Sequence, residues 1–181
     1  MVMQANDILC FWFDTLTDKQ HFAKDAALDF DISTRFGATL EAAARCELFA
    51  WRATPQGRLA EIIVLDQFSR NVYRDTPLAF AQDALALALT QELVAGKQDQ
   101  LLTVKQRPFA YMPYMHSESA MIHAQAMHLF AQPGLENALD FEQRHQAIIA
   151  RFGRYPHRNA VLNRVATAEE AAFLNEPGSS F

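Results

Sequence analysis

The sequence predicts an all-α protein, an irregular stack of helical hairpins holding about eight to ten helices. Three features predict it. Apolar residues recur at three- and four-residue steps along most of the chain, the spacing that lines one face of an α-helix. Alternating β-branched runs, the mark of half-buried strands, are missing. Helix signals punctuate the chain at short intervals, with Thr54-Pro55 and Thr76-Pro77 as starts and Gly96 and Gly153 as stops.

The elements follow in order. Asn6 is placed to cap a short helix through Phe13, with Ile8, Leu9, Phe11, Trp12 and Phe13 as its apolar set. Thr15 to Lys24 reads as a polar turn. A long helical pattern from Asp25 to Trp51 carries Ala27, Phe30, Thr34, Gly37, Leu40, Ala44 and Leu48. The helix opened by Thr54-Pro55 ends near Arg74, and the one opened by Thr76-Pro77 ends at Gly96, so the two form an antiparallel hairpin. Pro108 and Pro113 limit any helix there to a short one. Ser117 is expected to cap a helix from Glu118 to Phe130, and Pro133-Gly134 turns the chain into a helix from Leu135 to Phe152. Pro156 is expected to start the next helix. Thr167 and Glu170 stand at capping-box spacing before a last helix through Leu174. The resulting stack of helix pairs has the tetratricopeptide-like style, although no self-similar repeat of that length is visible. One domain is expected over residues 1–175, with a loose tail at 176–181 unless Phe181 docks.

Composition bounds the function. The chain has 181 residues, 50% hydrophobic and 20% charged, with a formal net charge of −5. That is long enough for a core and too apolar for disorder. An acidic balance argues against a nucleic-acid partner, which needs a dominant basic surface. Cys10 and Cys46 show no metal or disulfide spacing and are read as packed free thiols. Met112, Met115, Met121 and Met127 are read as core filler. Neither a signal peptide nor an uninterrupted apolar span is apparent, so the expected setting is cytoplasmic, with no membrane partner. Oligomeric state is not legible.

Three polar clusters carry the chemistry. In Leu65 to Arg74, Gln67, Arg70, Asn71 and Arg74 share one helical face, and Asp66 can pair with Arg70. In Tyr114 to Ser119, His116 precedes a helix start and Glu118 stands in its expected first turn, a place suited to anions or to acid–base work. Glu118 can instead pair with an arginine of the third cluster. That cluster, Ala150 to Arg164, holds Arg151, Arg154, His157, Arg158, Asn159 and Arg164 in an acidic chain. Arg154 and Arg158 can fork onto a carboxylate or phosphate, or can cement the fold through internal carboxylates. Metal binding fails the spacing test: His116, His123 and His128 lie seven and five residues apart, whereas ligands on one helix face need about three or four. No nucleophile elbow, phosphate loop or dinucleotide fingerprint is present, so no cofactor is expected.

At these residues the sequence resembles a known family. FWF at 11–13, GRLAEIIVLDQFSRNVYRDTPLAFAQD at 57–83, FAYMPYMHSES at 109–119 and FGRYPHRNAVLNR at 152–164 are similar to the bacterial domain of unknown function 924. The resemblance spans nearly the whole chain. It implies a fold of the tetratricopeptide-like superfamily and no assigned activity. Family members usually carry an acidic residue where Ser119 stands, and many carry proline where Ser69 stands.

The expected function is binding of a small anionic ligand or a peptide carboxylate in a polar pocket. Its wall would be Gln67, Arg70, Asn71, His116, Glu118, Arg154, His157, Arg158 and Asn159. Two alternatives stand beside it. One is an enzyme using His116 or His157 with Glu118 as acid and base, and arginines to stabilise developing charge. The other is a helical protein-interaction module.

Overall fold

The computed structural model describes residues 1–179 and is all-α, with no strand among the described residues. It divides into two compact units. Unit 1 is Met1–Arg74 with Leu78–Pro113; unit 2 is Asp75–Pro77 with the described residues from Tyr114 onward.

Unit 1 is built on one continuous helical rod. Thr54 caps α4 (Pro55–Ile63) by accepting from Gly57 N–H at 3.0 Å, with Pro55 at the first position, as the sequence predicts. The rod then widens into a π-turn, Val64–Phe68, and resumes as α5 (Ser69–Val72). Every residue from Leu59 to Ser69 is buried, so no open polar face runs along this stretch. Around the rod pack α1 (Ala5–Leu9), α3 (Ala26–Ala44) and α6 (Asp83–Ala95). A short helix, α2 (Asp18–Phe22), replaces the expected polar turn because His21 is drawn inward to Trp12 O at 2.7 Å. Phe11 and Trp12, from a second π-turn at Cys10–Thr15, meet Phe36 and Phe68 in an aromatic core with ring centroids 4.8–6.1 Å apart. Such contacts add to area burial when rings are tilted or edge-on.

Several boundaries differ from expectation, for local reasons. Gln4, rather than Asn6, caps α1, through reciprocal bonds with Asp7. The long helix stops at Ala44 because Cys46 turns left-handed at φ 59°, and a 3-10 turn, Phe49–Ala53, follows. Pro77 opens a 3-10 turn, Pro77–Phe80, and the α-helix starts only at Asp83, where Arg70 forks onto the carboxylate. Cys10 and Cys46 are both exposed thiols, not packed ones. Met112 and Met115 are buried as expected, but Met121 is exposed. The stretch Pro77–Ala95 meets the length and composition of a membrane span. It is nevertheless broken before Asp83, and it packs Ala86, Leu89, Thr90 and Leu93 inward, with α6 against α4.

Helix α7 (Arg107–Met115) leads into unit 2, a hairpin of α8 (Ala120–Phe130) and α9 (Glu136–Phe152) followed by α10 (Ala168–Phe173). Gly153, at φ 68°, ends α9, and its N–H returns to Ile149 at 2.8 Å, the left-handed stop that glycine adopts without strain. Tyr155 then enters a core of Ile148 and Ile149, with Phe152 and Phe173 against it. Of the tail expected at 176–181, Ser179 is buried and its hydroxyl donates to Leu174 O at 3.1 Å; Phe181 lies outside the described residues.

The start of the rod admits no side chain at Gly57. A Cβ there would stand 2.1 Å from the backbone oxygen of Trp51. Gly57→Ala is expected to destabilise the protein by about 1–3 kcal/mol through forced backbone movement, read as a lower urea midpoint at unchanged slope.

Candidate functional site

The first polar cluster is drawn into unit 1. Asp66 is fully buried on the π-turn, and its carboxylate meets both Gln67 Nε2 and, at 3.2 Å, Arg70. Gln67 also reaches Met112 Sδ at 3.4 Å. Arg70 donates to the Asp66 carbonyl at 2.8 Å and forks onto Asp83 at 2.9 and 3.0 Å. One turn on, Asn71 and Arg74 both bind Asp29, at 2.8 Å and at 2.5 and 2.7 Å. Burial would raise the Asp29 carboxyl, but Arg74 and Asn71 outweigh it and hold it below its ordinary value. The expected shared face is therefore split: Gln67 packs inward, while Asn71 and Arg74 serve Asp29.

The second and third clusters meet in unit 2, and Glu118 joins them. Both its oxygens receive the Arg164 fork, at 2.6 and 2.9 Å, and Oε1 also accepts Tyr155 N–H at 2.7 Å. The expectation that Glu118 pairs with an arginine of the third cluster holds, and the arginine is Arg164. Arg164 also donates to Asn159 Oδ1 at 3.0 Å and Tyr155 O at 3.1 Å. Burial pushes the Glu118 carboxyl up, but the Arg164 fork, the Tyr155 N–H and the charge of Arg158 outweigh it, leaving a net depression.

These bonds explain a shift in the helix start. Helix α8 begins at Ala120 with Ser119 as its N-cap, so Glu118 and Ser117 lie before it rather than in its first turn and cap. Glu118 is held by Arg164 instead. His116 is half-buried, and its carbonyl accepts from buried Arg158 at 3.0 Å; the Arg158 guanidinium lies 4.6 Å over the Tyr155 ring. His157 sits in a three-residue 3-10 turn, Pro156–Arg158, with its ring 5.4 Å from that of Tyr155. Pro156 thus opens a single turn, not a helix.

Arg154 forks onto Glu170 at 2.6 and 2.8 Å. Glu170 also closes the capping box of α10, taking Thr167 N–H at 2.7 Å. The Arg154 fork, with that N–H, pushes the Glu170 carboxyl down to about 2. Beside this pair runs an open groove lined by Arg151, Phe152, Arg154, Thr167, Glu169 and Glu170. Arg151 donates to Glu169 at 2.9 Å, with both side chains largely exposed, and its guanidinium stands 4.7 Å over Phe152 and 5.6 Å over Phe173.

Three partners were not legible locally. Tyr155 sends its hydroxyl to Met115 O at 2.5 Å, and His123 meets Glu142 at 2.6 Å, both side chains fully buried. The second partner of Glu170 had no sequence signal, although its capping box did. Among the described residues no group of three or more His, Cys, Asp or Glu is placed to hold a metal ion.

Removing Glu118 strands the Arg164 fork and the Tyr155 N–H together. Glu118→Gln is expected to cost about 1–3 kcal/mol near pH 7. Because this carboxyl is depressed in the fold, its contribution is present above the unfolded value, about 4.3, and fades as pH falls through the folded one. Urea unfolding should show the deficit at pH 7 and its loss in acid.

The comparison with curated proteins returns no match. A solved structure of a protein of unknown function, ATU0120 from Agrobacterium tumefaciens, is similar over 94% of this chain and 96% of its own, with 37% identity and a TM-score of 0.89. The family model for a bacterial protein of unknown function (DUF924) matches residues 8–178. On that match the chain belongs to the DUF924 family.

Proposed function

We propose that the protein binds a small anion, or the carboxylate of a peptide, in the groove of unit 2 that Arg151 and Arg154 line. The exposed Arg151–Glu169 pair carries this reading. All three arginines of the predicted wall are firmly engaged, Arg70 by Asp83, Arg154 by Glu170 and Arg158 by a carbonyl and a ring, and Arg151 stood outside that wall. Glu169 by contrast is largely exposed, and such a surface pair is worth only about 0–1 kcal/mol. An external carboxylate or phosphate can replace this single Nε–Oε1 bond at little cost and engage the guanidinium as a fork. Arg154, held in place by Glu170, lines the groove beside the ligand, and Thr167 supplies a hydroxyl.

Of the other predicted residues, Glu118 and Asn159 hold Arg164, His157 lies beside the Tyr155 ring and the His116 carbonyl takes Arg158, while Gln67 and Asn71 stand in unit 1. An acid–base role for Glu118 finds no support, since both its oxygens are engaged. The same proposal takes the protein as cytoplasmic and its hairpins as tetratricopeptide-like; the α8–α9 pairing supports the second point.

Glu169 acts here as a built-in competitor, which makes the reading testable. Phosphate, and a short peptide compared with its C-terminal amide, are titrated at low salt while backbone amide shifts are followed. Weak saturable binding of about millimolar strength is expected. It should disappear in Arg151→Ala and tighten several-fold in Glu169→Gln. Binding that ignores both substitutions ends the proposal.

A further inference from the structure

Helices α8 and α9 of unit 2 meet through two titratable side chains that are fully buried. His123 on α8 and Glu142 on α9 are each 0% exposed, with Nδ1 2.6 Å from Oε1. The other ring nitrogen, Nε2, faces Ser117 O at 2.8 Å and the Tyr155 hydroxyl oxygen at 3.2 Å. A carbonyl only accepts, and Tyr155 gives its own hydrogen to Met115 O, so Nε2 must carry a hydrogen. Without a further proton, Nδ1 would then set a lone pair against a carboxylate oxygen at hydrogen-bond distance in a dry site. That contact is repulsive.

We infer that the His123–Glu142 pair holds one shared proton throughout the neutral range, and that this proton is a pH-sensitive latch between α8 and α9. The claim concerns the number of protons, which belongs to the pair rather than to either residue. Burial raises the Glu142 carboxyl against the lowering effect of His123, and Glu142 Oε2 is buried with no partner. Both facts favour a carboxylic acid donating to a neutral imidazole. The groups facing the pair in this unit do not supply the proton. Tyr155 spends its hydroxyl on Met115. His145, on α9, donates from Nδ1 to Phe141 O at 2.7 Å and stays neutral, driven down to about 3 by burial, with His116, His123 and His157 nearby. Glu118 is depressed and held by Arg164, with Arg158 beside it.

The sign follows from counting protons. In the unfolded chain the two groups together hold one proton between about pH 4.3 and 6.5, none above and two below. The folded pair holds one. Stability from the pair is therefore greatest between those values and falls on either side. Above about pH 6.5 the unfolding constant rises about tenfold per pH unit from this source.

Glu142→Gln separates the latch from an ordinary buried hydrogen bond. The amide N–H would donate permanently to neutral His123, so the folded variant needs no shared proton. Its pair-linked stability is flat above about pH 6.5 and falls below it, opposite to the native chain. Urea unfolding from pH 5 to 8 should show the native-to-variant ratio of unfolding constants climbing about tenfold per unit. A ratio independent of pH overturns the latch. Nitrogen NMR of the native His123 ring gives a second reading that does not need the variant to fold. Both ring nitrogens should carry the shifts of hydrogen-bonded nitrogens from pH 5 to 8, and an unbonded Nδ1 with a bare lone pair overturns the inference.

Discussion

Taking a carboxylate out of water costs several kcal/mol unless donors meet it, and this chain does so at Glu61, Asp66, Glu142 and Glu170. Glu61, Glu142 and Glu170 each dictate where a second segment must run, and Asp66 meets Gln67 and Arg70 of its own rod. Glu61 on the rod fixes Arg52 of the preceding 3-10 turn by a fork at 2.7 Å. Glu170 fixes Arg154 and so holds the turn after α9 against α10. Glu118, only partly exposed, does the same for Tyr155 and Arg164. An apolar core drives the helices together, but these bonds decide which loops close over them.

The two kinds of partner behave differently. A guanidinium keeps its charge at any physiological pH and presents a planar fork, so Glu61, Glu118 and Glu170 are neutralised permanently. An imidazole does neither, and its bond with Glu142 needs a proton that the unfolded chain gives up as pH rises. Unit 2 holds both kinds within one hairpin and the turn that follows it.

The fold class was legible because helical periodicity and the Thr-Pro and glycine signals are local. The cap at Thr54, the box at Thr167 and Glu170, and the stop at Gly153 are all formed. The pairing of Glu118 with the third cluster was legible as chemistry, since arginines in an acidic chain need carboxylates. What failed was phase. Gln67, Arg70, Asn71 and Arg74 were expected on one shared polar face, whereas the rod is buried on all sides from Leu59 to Ser69 and takes Gln67 inward. His123 and Glu142 stand on different helices, and only the packed hairpin sets which residues oppose each other. The exposure of Cys46 was missed because it occupies a left-handed turn where a helical pattern still ran.

The π-turn at Val64–Phe68 makes that change of phase concrete. One extra residue in a helical ladder rotates everything beyond it by about 100°. Residues before the turn and residues after it then answer to separate partners, with Glu61 set toward Arg52 and Arg74 toward Asp29. A straight helix would carry one unbroken azimuthal pattern through both ends. The rod therefore works as two short helices placed end to end with independent azimuths, which is how one buried element can satisfy acidic groups on different sides of a small core.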